Sequence, residues 1–299
     1  MTELIQLMLA PFAACMVLVG LFAYLGIHVI AREVIFVDLS LAQMAALGST
    51  SALLFGVSPD SALGYAFSLA FTTLGALIFS LTRTSRMKRR VPHEAIIGIV
   101  FVVASAAAIL VADRTAIGHE VIEEILVGGI LWISWSGVLE LLVVFVAVGV
   151  FHWFLRHRFL AISLREDFAE RQGWHIRLWD FLFYASFGVA ITVAVPVAGV
   201  LLVFTFLVVP AVIAFLFSRR PALLVAISWC VAAVACAVGI ALSYQFDFPT
   251  GPLIVCVFGL TLLGAGLLSQ LTPPPVAETT AAWETRMGKR TEQGKEPPT

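Results

Sequence analysis

The stretch A-L-G-Y-A-F-S-L-A-F-T-T-L-G-A-L-I-F-S-L, which spans Ala62–Leu81, contains no charged residue and is followed closely by the basic run Arg83–Arg90. A helix of roughly 20 apolar residues crosses a hydrocarbon core of about 30 Å. Short loops rich in Lys and Arg remain on the cytoplasmic side of a membrane. Together the two segments predict a membrane-spanning helix that ends at the cytoplasm.

The same pattern recurs along the chain. The sequence is 61% hydrophobic and 12% charged, with a mean hydropathy of +1.01, whereas soluble domains carry about 25% charged residues. We therefore predict an all-α fold, a polytopic membrane helix bundle with nine spans. The predicted spans are Leu7–Ile30, Leu39–Val57, Ala62–Leu81, Glu94–Ala112, Trp135–Leu155, Phe181–Val195, Gly199–Phe217, Ala222–Tyr244 and Gly251–Leu271.

The sixth predicted span is short, and only the turn Pro196–Gly199 separates it from the seventh. Irregular backbone at membrane depth needs protein or a water-filled cavity to satisfy its hydrogen bonds. A turn at this place is therefore expected to be buried in the protein.

The basic residues set the orientation. Threading the nine spans leaves every Lys and Arg except Arg114 on one side, and this side is predicted to be cytoplasmic. An odd number of spans puts the N-terminus outside and the C-terminus inside. Residues Met1–Gln6 lack the basic region of a signal peptide, so the first span is expected to be retained. The inside clusters are Arg32, Arg83–Arg90, Arg156 to Arg177, Arg219–Arg220 and the C-terminal tail.

The composition changes after Leu271. The segment Thr272–Thr299 is rich in Pro, Thr, Glu, Lys and Gly, and such a segment cannot bury enough apolar area to order itself. We predict a transmembrane domain over residues 1–271 and a disordered cytoplasmic tail over residues 272–299.

The predicted outer loops carry acidic residues and a single basic one. Acidic charge at a pore mouth would concentrate cations, but acids are also simply tolerated outside. His119 lies beside three of these acids and could contact a divalent cation or form a solvated loop face. The segment Val121–Ser134, with Gly128 and Gly129, could lie flat or dip into the bilayer. The outer acids are Glu3, Asp60, Asp113, Glu120, Glu123, Glu124 and Asp247.

Several catalytic patterns are missing from the sequence. It contains no G-x-x-x-x-G-K-[ST] phosphate loop, no G-x-S-x-G, no H-E-x-x-H and no C-x-x-C. The four cysteines lie in apolar spans, where a free Cys behaves as a small hydrophobe. The six histidines lie at predicted span ends or in loops, which does not favour an imidazole-rich metal site at mid-membrane. The sequence indicates neither an enzyme nor a resident cofactor nor a nucleic-acid partner.

Ionisable residues within spans usually line a functional path, since lipid burial costs several kcal/mol. Asp38 is the main candidate, with Ser40 and Gln43 after it. On a helix Asp38 and Gln43 lie about 140° apart, whereas Ser40 and Gln43 share a face. Glu140 lies nearer the outer end of its span. Asp180 and Glu94 each precede an apolar run, which favours a role at a helix N-terminus.

Four segments together resemble one family. They are Ala31–Gly48 (A-R-E-V-I-F-V-D-L-S-L-A-Q-M-A-A-L-G), Glu94–Phe101 (E-A-I-I-G-I-V-F), Gly199–Ala214 (G-V-L-L-V-F-T-F-L-V-V-P-A-V-I-A) and Ser243–Gly251 (S-Y-Q-F-D-F-P-T-G). In this order they are similar to the membrane permease subunits of zinc/manganese/iron-type ABC importers. The resemblance runs from about Val17 to Leu271.

The resemblance implies a type II ABC-importer permease fold in a bacterial inner membrane. Two copies would form a homodimer around the path of a divalent transition metal. Separate ATPase subunits would bind on the cytoplasmic face, and an extracytoplasmic metal-binding protein would dock outside. A coupling segment near Ala211–Pro221 would meet the ATPase. Its expected residues are Pro210, Ala211, Ala214, Arg219 and Arg220.

One position departs from the family. The family's second span typically carries an Asp followed four residues later by a His, but those positions here hold Leu39 and Gln43, and Asp38 is displaced by one residue. A carboxamide oxygen is a harder ligand than imidazole and suits Mn²⁺ better than Zn²⁺. The resemblance thus implies either an altered site at Asp38 and Gln43 or another cargo.

Two other functional classes remain as alternatives. An ion-coupled secondary transporter of metal cations would show facing carboxylates at mid-membrane and inverted repeats. An integral-membrane enzyme would show a cluster of polar residues. The sequence contains no obvious example of either pattern.

Overall fold

The computed structural model describes residues 2–83, 91–115, 117–164, 169 and 172–271. Within this described part the chain forms nine α-helices and no β-strand. A short 3-10 helix, Ile130–Trp132, follows the fifth α-helix. The helices are α1 (Thr2–Arg32), α2 (Val37–Leu54), α3 (Ala62–Thr82), α4 (His93–Ala112), α5 (Gly118–Val127), α6 (Trp135–Leu164), α7 (Ile176–Phe217), α8 (Pro221–Phe246) and α9 (Thr250–Leu271).

Eight of these helices, all except α5, are long and apolar enough to cross a membrane. Helix α5 has ten residues, a length of about 15 Å. Helix α7 has 42 residues and is interrupted at Gly199, whose backbone has φ 76° and ψ 156°. We refer to residues 176–198 as α7a and to residues 200–217 as α7b.

The chain reverses direction at Gly199. Phe183 and Leu207 would lie about 36 Å apart if α7 were straight. Instead both contact the same part of α1, because the Phe183 ring lies 5.7 Å from the His28 ring and the Leu207 backbone packs directly on Gly26. Helix α7 therefore crosses the bundle twice, and the total agrees with the nine predicted spans.

The helix ends form two opposite faces. One, the basic face, carries Arg32, Arg83, Arg177, Arg219 and Arg220. At this face Arg32 donates to Ser163 and Asp180, which brings the ends of α1, α6 and α7a together. The Ser80 hydroxyl also donates to the carbonyl of Arg177 at 2.9 Å, which adds the end of α3.

The other end of the bundle, the acidic face, carries Asp60, Asp113 and Asp247. Here the backbone of Gly128 packs directly against Gly199, and an added Cβ at Gly251 would lie 3.0 Å from the carbonyl oxygen of Val127. Helix α1 therefore starts at the acidic face, and α9 ends at the basic face.

Helix α7 lies at the centre of the bundle and packs against α1, α3, α6, α8 and α9. Its Phe183 and Phe187 are fully buried among aromatic side chains of α1 and α6. By contrast α4 and α9 expose rows of aliphatic side chains, such as Val102 and Leu263. These outer rows suit lipid, since lipid tails are as apolar as the side chains themselves.

The largest difference from the predicted bounds is in the fifth span. Helix α6 continues past Leu155 to Leu164, since its first arginines have aromatic partners. The guanidinium of Arg156 lies 3.9 Å from the ring centroid of Trp153, and that of Arg158 lies 4.4 Å from the ring of Trp174. Such pairs stabilise a cation at an aromatic membrane boundary.

The segment after the fourth span packs into the bundle instead of lying apart from it. Ile125 of α5 and Ile130 are buried, and α5 contacts α7 near the reversal. The predicted cytoplasmic tail, residues 272–299, and most of the basic run Arg83–Arg90 lie outside the described residues.

Candidate functional site

The first turn of α2 brings Asp38 close to Glu94. The Glu94 carboxylate accepts a hydrogen bond of 2.8 Å from the backbone N–H of Phe36, the residue that precedes α2. Glu94 thus stabilises the N-terminus of α2 from the first turn of α4. Its charge also acts on the Asp38 carboxyl group.

Asp38 is the most unusual of the predicted site residues. Its side chain is 1% exposed, and no other side chain that the structure describes donates a hydrogen bond to its carboxylate. The backbone N–H groups of Asp38 and Leu39, at the start of the same helix, are its polar neighbours. The Ser40 hydroxyl is also buried, without a hydrogen-bond partner among the described residues. A buried carboxylate is tolerated only if it is neutral or beside a cation, and such residues in membranes generally mark an ion or proton path.

Gln43 lies in a different environment. It lines a cavity of about 180 Å³ between α2, α4 and α5, together with Phe101 and Ser105. Asp38 and Ser40 do not line this cavity. The structure therefore brings Asp38 together with Glu94 but keeps it apart from Gln43, in agreement with their predicted separation around the helix.

A cleft at the acidic face, lined by both apolar and polar side chains, was not predicted. It encloses about 50 Å³, and its lining includes Ser49, Asp60, Ser68 and Thr192. One turn deeper, the hydroxyl of Thr72 lies 3.1 Å from that of Thr192. In the sequence, only the spacing of Ser68 and Thr72 indicated this cleft, because residues four positions apart lie on one face of α3.

The predicted coupling segment divides into a buried and an exposed part. Ala211 and Ala214 pack with residues of α1 and α8, and the Pro210 carbonyl accepts a 3.1 Å hydrogen bond from the Ser228 hydroxyl. These three residues therefore face the interior of this chain. Arg219 and Arg220 are exposed, so any surface for a partner lies at the end of α7b.

A buried ion-pair cluster joins the helices at the basic face. Asp180 lies 2.7 Å from a guanidinium nitrogen of Arg32 and 2.9 Å from one of Arg83. Arg32 also donates to the Ser163 hydroxyl at 2.7 Å, and that hydroxyl lies 2.8 Å from Nδ1 of His28. We name this set, Arg32, Asp180 and Arg83, the charge cluster. Asp180 thus does more than complement a helix terminus, because it pairs with two other helices.

The remaining ligand candidates do not form a cluster. Among the described residues no three His, Cys, Asp or Glu side chains are placed to hold a metal ion together. His28 and His152, predicted near the ends of their spans, are buried within the bundle, and His28 lies four residues before the end of α1. The side chains of His119, Glu120, Glu123 and Glu124 lie outside the described residues.

A sequence comparison decides the family. The model of the ABC 3 transport family matches residues 4–269, which include all nine helices almost completely. This chain belongs to the ABC 3 transport family. The relatives of this ABC 3 protein are membrane permease subunits of ABC transporters. The chain is therefore a transport subunit and not an enzyme, which confirms the prediction.

Named relatives of this ABC 3 protein come from several bacteria. A probable metal transport system membrane protein of Chlamydia trachomatis is 26% identical over 268 residues, covering 85% of this chain and 87% of the relative. The manganese transport system membrane protein MntB of Synechocystis is 27% identical and covers 73% of this chain and 75% of the relative. The chelated iron transport system membrane protein YfeC of Yersinia pestis is 29% identical, with coverage of 70% and 71%.

Two solved structures share the fold. PsaBC from Streptococcus pneumoniae in complex with Fab aligns with a TM-score of 0.72 at 18% identity, covering 88% of this chain and 94% of that chain. An inward-facing putative metal-chelate type ABC transporter aligns with a TM-score of 0.62 at 18% identity, with coverage of 86% and 85%. The predicted ABC permease fold is confirmed.

Proposed function

We propose that this ABC 3 protein is the permease subunit of an ATP-driven importer and forms the path of a divalent transition metal. Family membership carries this proposal, together with the buried carboxylate of Asp38, to which no other described side chain donates a hydrogen bond. Relatives named for manganese and for chelated iron support a metal as the cargo.

The donor atoms along the proposed path favour a hard cation. Asp38 offers a carboxylate, and Ser40 and Gln43 offer neutral oxygens; since Gln43 lines a cavity that Asp38 does not, the ion would meet Asp38 and Gln43 at successive positions. Oxygen donors suit Mn²⁺, and they suit Zn²⁺ less well than imidazole does. Manganese or ferrous iron is therefore the proposed cargo in preference to zinc, with Asp38 as the charged residue that the ion meets.

Two copies of the chain and a motor on the basic face complete the proposed transporter. The concentration of arginines supports a cytoplasmic location for the basic face. In this orientation the N-terminus would lie outside and the C-terminus inside an inner membrane. Arg219 and Arg220 are the exposed cations at the end of α7b, and we assign them to contact with a separate ATPase subunit. An extracytoplasmic metal-binding protein would dock on the acidic face.

A secondary transporter has less support. That mechanism requires facing carboxylates near the membrane centre. In the part of the chain that the structure describes, the two neighbouring acids of the spans, Asp38 and Glu94, both lie in the first turns of their helices at the basic face.

Replacing Asp38 tests the assignment of the path. We expect Asp38→Ala to lower manganese uptake by about tenfold or more, the scale seen when metal sites lose a supporting group. Glu94→Ala removes a hydrogen bond to the N-terminus of α2, which costs only about 1 kcal/mol of stability. It should therefore lower uptake much less. Uptake by cells that express each variant is measured relative to the amount of protein in the membrane.

Matched variants distinguish a role in conduction from a role in folding. Asp38→Asn retains the size of the side chain and should also lose uptake while the protein level stays normal. Equal and mild losses for Asp38→Ala and Glu94→Ala would refute the assignment of Asp38.

A further inference from the structure

A groove on the outer surface of the bundle lies between α1, α6 and α8. It has a volume of about 290 Å³ and is lined mainly by apolar and aromatic side chains. Trp153 and Trp229 on its two sides are 66% and 49% exposed. Since these helices span a membrane, the exposed surface here meets lipid and not water.

Two glycines leave part of the groove open. Gly20 of α1 and Gly149 of α6 both line it. A Cβ added at either position would meet no atom within 4 Å. Close packing of helices therefore does not require glycine at these positions. The missing side chains leave space for an extended apolar group.

A cation lies at the mouth of the groove. Arg156 follows the start of α6 by 21 positions, which corresponds to about 32 Å along the helix or one thickness of the hydrocarbon core. Its guanidinium lies 3.9 Å from the centroid of the Trp153 ring. No carboxylate among the described residues pairs with it, so its N–H groups can bind an anion at the membrane boundary.

We propose that this groove binds one anionic phospholipid of the leaflet at the basic face. An acyl chain would lie along Gly20 and Gly149, and the phosphate would bind Arg156. Phosphatidylglycerol supplies both an acyl chain and a net negative charge, whereas phosphatidylcholine lacks the net negative charge.

Native mass spectrometry of the purified protein tests this site. The protein is titrated with phosphatidylglycerol and, separately, with phosphatidylcholine, and tightly bound lipid is counted per chain. We expect one bound phosphatidylglycerol and a preference over phosphatidylcholine of about fivefold, the effect of one arginine near a membrane surface. Arg156→Gln should abolish the preference, and Gly149→Leu should prevent binding of both lipids by filling the groove.

A control glycine makes the comparison specific. Gly98 on α4 also has no atom within 4 Å of an added Cβ, so Gly98→Leu should bind lipid as the wild type does. If Gly149→Leu does not remain monodisperse, Gly20→Leu fills the same space from α1. Equal phosphatidylglycerol binding by the wild type and the filled variants would overturn the proposal. So would a change of oligomeric state without loss of lipid, which would assign the groove to a second copy.

Discussion

Asp180→Ala is expected to lower the free energy of unfolding by about 3–5 kcal/mol, the cost of removing one partner from a buried ion pair. The substitution leaves the guanidinium groups of Arg32 and Arg83 buried next to each other without their shared carboxylate. It also separates α7a from the ends of α1 and α3. Thermal unfolding of the purified protein in detergent, followed by loss of the monodisperse species, measures the effect.

Two variants serve as references for this prediction. Glu140 is an exposed acid of α6, and Glu140→Ala should change stability by no more than about 0.5 kcal/mol. Arg32→Ala should destabilise less than Asp180→Ala, because Asp180 keeps Arg83 as a partner. Thermal stabilities that are the same for Asp180→Ala and Glu140→Ala would show that the charge cluster does not hold the helix ends together.

Gly199→Ala should be at least as damaging, since it affects the reversal of α7. The backbone of Gly199, at φ 76° and ψ 156°, lies in a region that is essentially restricted to glycine and costs about 1–3 kcal/mol for other residues. An added Cβ would also lie 2.6 Å from the carbonyl oxygen of Leu126, and overpacking costs about 1–3 kcal/mol more. We expect very little folded protein, measured as the monodisperse yield from membranes.

Gly128 and Gly129, which follow α5 and lie beside Gly199, provide a matched pair of variants. Gly128 has φ 71°, and its added Cβ would lie 2.7 Å from the carbonyl oxygen of Ala198. Gly129 has a negative φ of −115° and open space around its Cβ position. Gly128→Ala should therefore lose most of the folded protein, whereas Gly129→Ala should retain it. Similar yields from the two variants would contradict the close approach of α5 to the reversal.

The spans could be predicted from sequence because the bilayer fixes the length and polarity of a crossing helix. The predicted spans Ala62–Leu81 and Glu94–Ala112 differ from α3 and α4 by one residue at one end. The separation of the sixth and seventh spans was also predictable, since Pro196 and Gly199 both disfavour a continuous helix. The end of α6 could not be predicted, because its extension depends on contacts of arginines with Trp153 and Trp174.

The candidate site could be predicted only in part. Asp38 was identifiable, since a lone acid in an apolar span is rare. The proximity of Asp38 to Glu94 and the pairing of Asp180 with Arg32 could not be predicted, because each joins two helices that are separated in sequence. Arg32 and Asp180 are 148 positions apart. Hydropathy describes each helix alone, whereas these contacts depend on how the helices are rotated and packed against one another.

The contacts of the buried part of the coupling segment were likewise not predictable from hydropathy. The resemblance implies roles for Pro210, Ala211 and Ala214 near an ATPase, and these roles stay predictions. Their contacts with α1 and α8 bury them inside the bundle, whereas the end of α7b is exposed. Any effect of these residues on coupling would therefore act through the packing of α7b, whereas Arg219 and Arg220 can touch a partner directly.

Manganese uptake with and without the ATPase partner tests the central claim most directly. An ATPase that co-purifies with the chain is first identified. Cells that express the chain are then compared with cells in which the gene for this ATPase has been deleted. An ATP-driven permease predicts that uptake falls to background in the deletion strain, and that Arg219→Glu with Arg220→Glu produces a large loss even when the ATPase is present. Uptake that continues unchanged after deletion of the ATPase would contradict the account and favour a self-sufficient transporter.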